Sequence, residues 1–405
     1  MDSFRTSFDP ALDGFAFANR FAWTAEERET ARDLFAHVLD DDDALPGGLA
    51  AGLTIDPLLA GSEPGALPPE LQGELLLEAA CDLAADFAEA VAVDGGAAYG
   101  LCGGMVATAL DYRSVNWVVP RGGGPDDGPT RATSSGRVLR DYLWGRTVAA
   151  LEINAPALLQ YVVALRVPGR DGPAWVRDRT REQWNHLTSA MTAVGEPVPV
   201  ALVGANTSPL EHQQVLATGF DAWSDEAGTM HVYDPNDPGK IGRVEFDLRG
   251  GTIETKRDEP LTTMPRRGPL CGFFVGGYNA VRPPRTLVAS LRAEREVAEH
   301  GPELVLTCEV SNQGYRRSPA FAIAIECDAG ATSRREPMPE PLDERAARTL
   351  TATVTFDDDA DHIAVAEAVL ARSDGGEARR AFAAQQPGEE PRISVSAAAH
   401  PSRAR

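Results

Sequence analysis

The sequence predicts an α+β domain followed by an all-β domain. Helical periodicities dominate up to about residue 195, and short β-rich segments separated by turns replace them from about residue 197. Beyond VRPPR, at 281–285, the segments are strands alone. Helices first and strands afterwards is the order of an α+β domain. A chain of 405 residues has room for two or three domains at roughly 150 residues each.

The elements follow in order. TAEERETARDLFAHVL opens on Thr24, a good N-cap, with Glu26 and Glu27 in the first turn, where negative charge suits the helix dipole. DDDD at 40–43 ends that helix in solvent, and the Gly- and Pro-rich stretch 46–69 reads as loop. In PPELQGELLLEAACDLAADFAEAV, the residues Leu75, Leu76, Ala79, Leu83 and Phe87 recur at helical steps, and Cys81 packs within that helix. After the turn VDGGAAYG, Cys102 precedes Met105, Val106, Ala109 and Leu110, spaced as a buried helix face. A long loop, PRGGGPDDGPTRATSSG, leads to helices expected at 137–150, 153–165 and 178–193.

The strands of the first domain are PVPVALVG, HQQVLATGFDAW, TMHVYDP, GRVEFDL and CGFFVGGY. VRPPR then reads as a linker between two parts expected to fold separately, over 1–282 and 285–386. TLVASLRA, ELVLTCEVSNQG, AFAIAIECDAG, RTLTATVTFDDD and HIAVAEAVLARS alternate at regular spacing, which predicts a β-sandwich of immunoglobulin type. This part resembles the adhesion-type sandwich modules often appended to other domains, which implies binding of a protein or carbohydrate partner. The polar, alanine-rich stretch 387–405 is expected to be a disordered tail.

Composition excludes several classes of function. Asp and Glu number 60 against 38 Lys and Arg, a net charge of −22, whereas a nucleic-acid partner requires clustered basic charge. No run of 18 apolar residues exists, so no membrane span is expected. MDSFRTSFDPALDG lacks a basic region followed by an apolar run. The expected location is therefore cytoplasmic, or outside the cell by a route without a classical signal peptide. Cys81, Cys102, Cys271, Cys308 and Cys327 are widely spaced and form no CxxC pair, so neither a disulfide framework nor a zinc site is indicated. DPNDPG lacks EF-hand spacing and its closing glutamate. No cofactor and no metal are expected.

Three stretches carry chemistry: YGLCGGM, EHQQVLATGFDAW and HVYDPNDPG. They place Cys102 at a helix start, His212 at a strand start and Asp234 at a strand end. A helix N-terminus and an imidazolium both stabilise a thiolate, and a carboxylate can orient the imidazole. A hairpin through DAWSDEAGT would bring the start of one strand beside the end of the next. His231, three residues before Asp234, is the rival base and reads as structural from its place in mid-strand.

The order and the surrounding phrases resemble the papain-like cysteine peptidase superfamily, closest to the peptidase domains of bacteriocin-processing transporters. The matches are Cys102 in GLCGGM, His212 in HQQVLATGF and Asp234 in VYDPN, over roughly residues 90–280. The resemblance implies a papain-like domain, with a helical half carrying the thiolate and an antiparallel sheet carrying the base. The implied activity is hydrolysis of an amide or peptide bond in a peptide or protein substrate, through a Cys–His–Asp triad and a thioester.

Two departures stand beside these matches. The family places a glutamine, an oxyanion donor, six residues before the cysteine, and Gly96 occupies that position here. One missing donor costs about 2.7–4 kcal/mol in the transition state. The 110 positions between Cys102 and His212 are also fewer than the roughly 130–150 of papain-type signatures. In GFAFANRF, Phe15, Phe17, Asn19 and Phe21 fall on one face of an extended segment. Asn19 is thus a candidate substitute donor, with bonding to a backbone group as its other reading. Two alternatives share the sequence: an acyltransferase or deamidase using the same triad, and a catalytically inactive papain-like scaffold with a binding sandwich.

Overall fold

A computed structural model of the chain describes residues 2–40, 100–122, 124–166, 171–204, 212–249, 254–257, 270–298, 301–327, 334–338, 341–354, 361–384 and 392–396. The helix expected over 68–91 with its Cys81, and the loop 46–69, lie outside these residues. The described elements are helices and antiparallel sheets, an α+β composition. The helices are α1 (Pro10–Asp13), α2 (Ala25–Asp40), α3 (Cys102–Ser114), α4 (Ser134–Arg166) and α5 (Asp171–Val194). Contacts divide the chain into one unit of Met1–Phe8, Ala18–Thr108 and Asp141–Ala280, and a second of Asp9–Phe17, Ala109–Arg140 and Val281–Arg405.

The first unit holds β1 (Asp2–Arg5), β2 (Val198–Gly204), β3 (Gln213–Ala222), β4 (Ala227–Tyr233), β5 (Ile241–Asp247), β6 (Glu254–Arg257) and β7 (Leu270–Val275). They form one sheet in the order β6-β5-β4-β3-β2-β7, with β1 also paired to β3. Val215 and Ala217 of β3, Met230 and Val232 of β4, and Val244 of β5 share one core with Trp184, Leu187 and Met191 of α5. Those three α5 residues sit at helical spacing. Trp184 meets Phe246 edge-on at 4.7 Å, a favoured aromatic geometry. Ahead of α2, the expected N-cap Thr24 forms a capping box with Glu27: Glu27 N donates to Thr24 Oγ1 at 3.2 Å, and Thr24 N to Glu27 Oε2 at 2.8 Å.

Helix α4 is continuous where two helices were expected. Pro156 withdraws a single N–H from the ladder, the one that would otherwise serve the carbonyl of Glu152. GFAFANRF is a bent loop rather than an extended row. Its backbone bonds go to different places, Ala16 N to Arg121 O at 2.8 Å and Asn19 N to Pro235 O at 2.9 Å, so no ladder forms.

The second unit holds β8 (Leu287–Ala298), β9 (Gly301–Asn312), β10 (Phe321–Cys327), β11 (Arg334–Met338), β12 (Ala347–Val354), β13 (Asp361–Ala371), β14 (Glu377–Ala381), β15 (Ala383–Ala384) and β16 (Arg392–Ser396). One sheet runs β12-β9-β8-β15, and the other runs β11-β10-β13-β14 with β16 on β13. Alternation aims Leu304, Leu306, Cys308 and Val310 of β9 into the same core as Phe321, Ile323 and Ile325 of β10. That core also takes in Leu12 and Val118. The Asp13 carboxylate lies between the guanidinium groups of Arg113 and Arg380, and Ser373 N donates to Asp9 Oδ2 at 2.8 Å. Strand β16 pairs with Asp361–Val365, inside the stretch expected to be a disordered tail.

Candidate functional site

Cys102 is the first residue of α3, as its glycine flanks and the apolar spacing behind it predict. Met105 N donates to Leu101 O at 2.8 Å and closes the first turn. The half-buried thiol faces β3, and its Sγ accepts the N–H of Gln214 at 3.4 Å. Two flanking glycines permit close approach. A Cβ on Gly104 would stand 2.1 Å from Leu143 O, so glycine lets α3 pack on the backbone of α4. A Cβ on Gly100 would stand 1.9 Å from Asn19 Nδ2.

His212 immediately precedes β3, two residues before Gln214 and so about 7 Å along an extended chain. Its Nδ1 accepts the N–H of Gly204 at 3.2 Å. A neutral ring with that acceptor carries its proton on Nε2. Gly204 ends β2 at an irregularity in the β2–β7 register, and bulges of this kind re-aim backbone groups.

Asp234 is buried just past the end of β4. Its Oδ1 accepts from Gln213 Nε2 and, at 2.9 Å, from Asn236 N, an Asx turn of the kind Asp-Pro-Asn favours. The β3–β4 ladder begins at the Leu216–Tyr233 pair. Asp234 therefore stands one residue past it, on the Gln213 side of β3. The structure brings Asp234 to Gln213, the neighbour of His212 in sequence.

Asn19 is fully buried, and its carboxamide is committed on both ends. Its Oδ1 accepts the N–H of Leu101, the residue before Cys102, and its Nδ2 donates to Asn236 Oδ1 at 3.1 Å. One polar chain runs from Asp234 through Asn236 and Asn19 to the backbone in front of the thiol. Sequence reading missed Gln213, Asn236 and Gly204 as members of this arrangement. Only the paired glutamines of HQQV and the Asn of DPN signalled it.

The remaining groups lie in other environments. His231 Nε2 is 2.8 Å from Asp221 Oδ2 and 2.7 Å from Arg5 Nη2, a clasp across β1, β3 and β4. The hydrogen bond from His231, and then Arg5, hold the Asp221 carboxyl below its ordinary pKa. Burial pushes the Cys271 and Cys308 thiols up to about 12. Among the described residues, no group of three or more His, Cys, Asp or Glu side chains is placed to hold a metal ion, and no helix is long and apolar enough to cross a membrane. No family model, no curated protein and no solved structure matches this chain.

Proposed function

We propose that the chain is a cysteine-dependent hydrolase of amide or peptide bonds, with a papain-like first domain and an immunoglobulin-like sandwich as accessory domain. One observation carries the reading: Cys102 opens α3 with its thiol against the N–H of Gln214, at the start of the strand that His212 precedes. The Cys102 thiolate attacks the substrate carbonyl carbon. The scissile C–N bond breaks as His212 returns the thiol's proton to the leaving amine, and water then hydrolyses the thioester to the acid and the free thiol. The Cys102 N–H, one of the N–H groups a helix start leaves without an intrahelical partner, serves the oxyanion. Asp234 acts through Gln213, fixing the strand start that carries His212.

The second reading is an inactive scaffold. The Nδ1 of His212 holding the Gly204 N–H favours it, because the basic nitrogen of the neutral ring is then engaged. Incubation with a mixed peptide library, followed by quenching in acid and intact-mass measurement, separates the two. A covalent acyl adduct on wild type that is absent from Cys102→Ser supports the hydrolase. No adduct and no cleavage in wild type supports the scaffold, and cleavage unchanged in Cys102→Ser excludes Cys102 as the nucleophile. Incorporation of an added amine into the released acyl group would move the assignment to acyl transfer.

A further inference from the structure

We propose that a cavity in the second unit is a binding site for a small organic molecule carrying an oxyanion, a carboxylate or a phosphate. The cavity measures about 420 Å³, within the roughly 300–1,000 Å³ of small-molecule sites. Every residue that lines it belongs to that unit. Its walls come from the start of α4, the Asn312–Tyr315 turn and the Glu344–Arg345 corner.

The charge of these walls runs against that of the whole chain. The protein carries −22 overall, yet the charged groups here are Arg285, Arg345 and a single acid, Glu344. Glu344 is already served, since its Oε1 accepts from Ser135 Oγ at 2.6 Å. Arg345 donates from Nη2 to Ser134 Oγ at 2.6 Å, and among the described residues no carboxylate lies within ion-pair distance of it. A guanidinium has five N–H donors in a planar fork, which matches carboxylate and phosphate oxygens two at a time.

The corner is also fixed in place. Arg345 N donates to Asn312 O at 2.8 Å, with φ at 64°, a left-handed conformation uncommon for any residue but glycine. Its bond to Ser134 Oγ directs the guanidinium along the cavity wall. Apolar surface lies beside it: Val138, a large hydrophobic 54% exposed, and buried Leu139. The ligand implied has an anionic group for Arg345 and an apolar body for Val138.

Calorimetric titration of the full chain tests this with three probes: inorganic phosphate, N-acetylphenylalanine and the uncharged N-acetylphenylalanine amide. Saturable binding of one or both anions, and not of the amide, is expected. Phosphate alone would identify a phosphate ligand, and N-acetylphenylalanine alone a carboxylate. Arg345→Ala should weaken binding at least about tenfold, as loss of a charge-assisted contact does. Val138→Trp, which fills the cavity from an exposed position and leaves Arg345 intact, should do the same at unchanged melting temperature. It provides the test if Arg345→Ala fails to fold. No saturable binding of either anion, or binding unchanged in the variants, would overturn the proposal.

Discussion

Replacing Asn19 by alanine removes a side chain that joins the backbone ahead of Cys102 to the DPN turn. Two buried groups lose their recorded partner, the Leu101 N–H and Asn236 Oδ1. Each orphaned buried group costs about 1–3 kcal/mol, so Asn19→Ala should cost about 2–6 kcal/mol, a large share of a typical 5–15 kcal/mol stability. Asn236→Ala alone orphans the Asn19 amide, whereas the double variant removes both ends of that bond. The two changes should therefore be non-additive by about 0.5–3 kcal/mol. Urea unfolding of wild type, both single variants and the double variant measures the cycle through midpoints at constant slope. An Asn19→Ala cost below about 0.5 kcal/mol, or strict additivity, would refute the network.

Two further outcomes follow from charged groups. Asp13→Ala should cost about 3–5 kcal/mol in urea unfolding, because it removes the carboxylate that lies between Arg113 and Arg380, whose side chains are only 12% and 13% exposed. The Asp221 carboxyl has a folded-state pKa below its unfolded value, so its contribution is fully present above about pH 4 and is lost as pH falls through the lowered value. Melting temperatures measured between about pH 2 and 6 should fall more steeply for wild type than for Asp221→Asn, in which that carboxylate is gone.

Local pattern was legible in the sequence, and distant partnership was not. The strands of the sheet, the helix start at Cys102 and the capping box at Thr24 each follow from spacing or from residues a few positions apart. Alternation likewise assigned Leu304, Leu306, Cys308 and Val310 to one face. Periodicity reports which face of an element is apolar but not what a polar group bonds. Asn19 finds its partners 82 and 217 positions away, and Asp9 meets Ser373 at 364. Nothing in GFAFANRF or DPALDG announces those bonds. The continuity of α4 was hidden for a different reason: proline lowers helix propensity, yet the helix runs through Pro156. At the site, turn chemistry and triad chemistry use the same residue types, so VYDPN alone does not announce that Asp234 accepts from Gln213 and Asn236.

The central claim is that Cys102 is the reactive thiol, and the rate of alkylation at each cysteine tests it most directly. Burial holds the Cys271 and Cys308 thiols near 12, against about 8.5 for an ordinary cysteine. Their thiolate fraction at neutral pH is therefore far smaller than that of an ordinary cysteine. Iodoacetamide at about pH 6.5, quenched at intervals and mapped by peptide mass, should mark Cys102 first. His212→Ala should slow that labelling, and Asp234→Asn should slow it less, since the carboxylate acts through Gln213. Equal slow labelling of all five cysteines, or labelling of Cys102 only after unfolding, would make it a packing residue and contradict the enzyme reading.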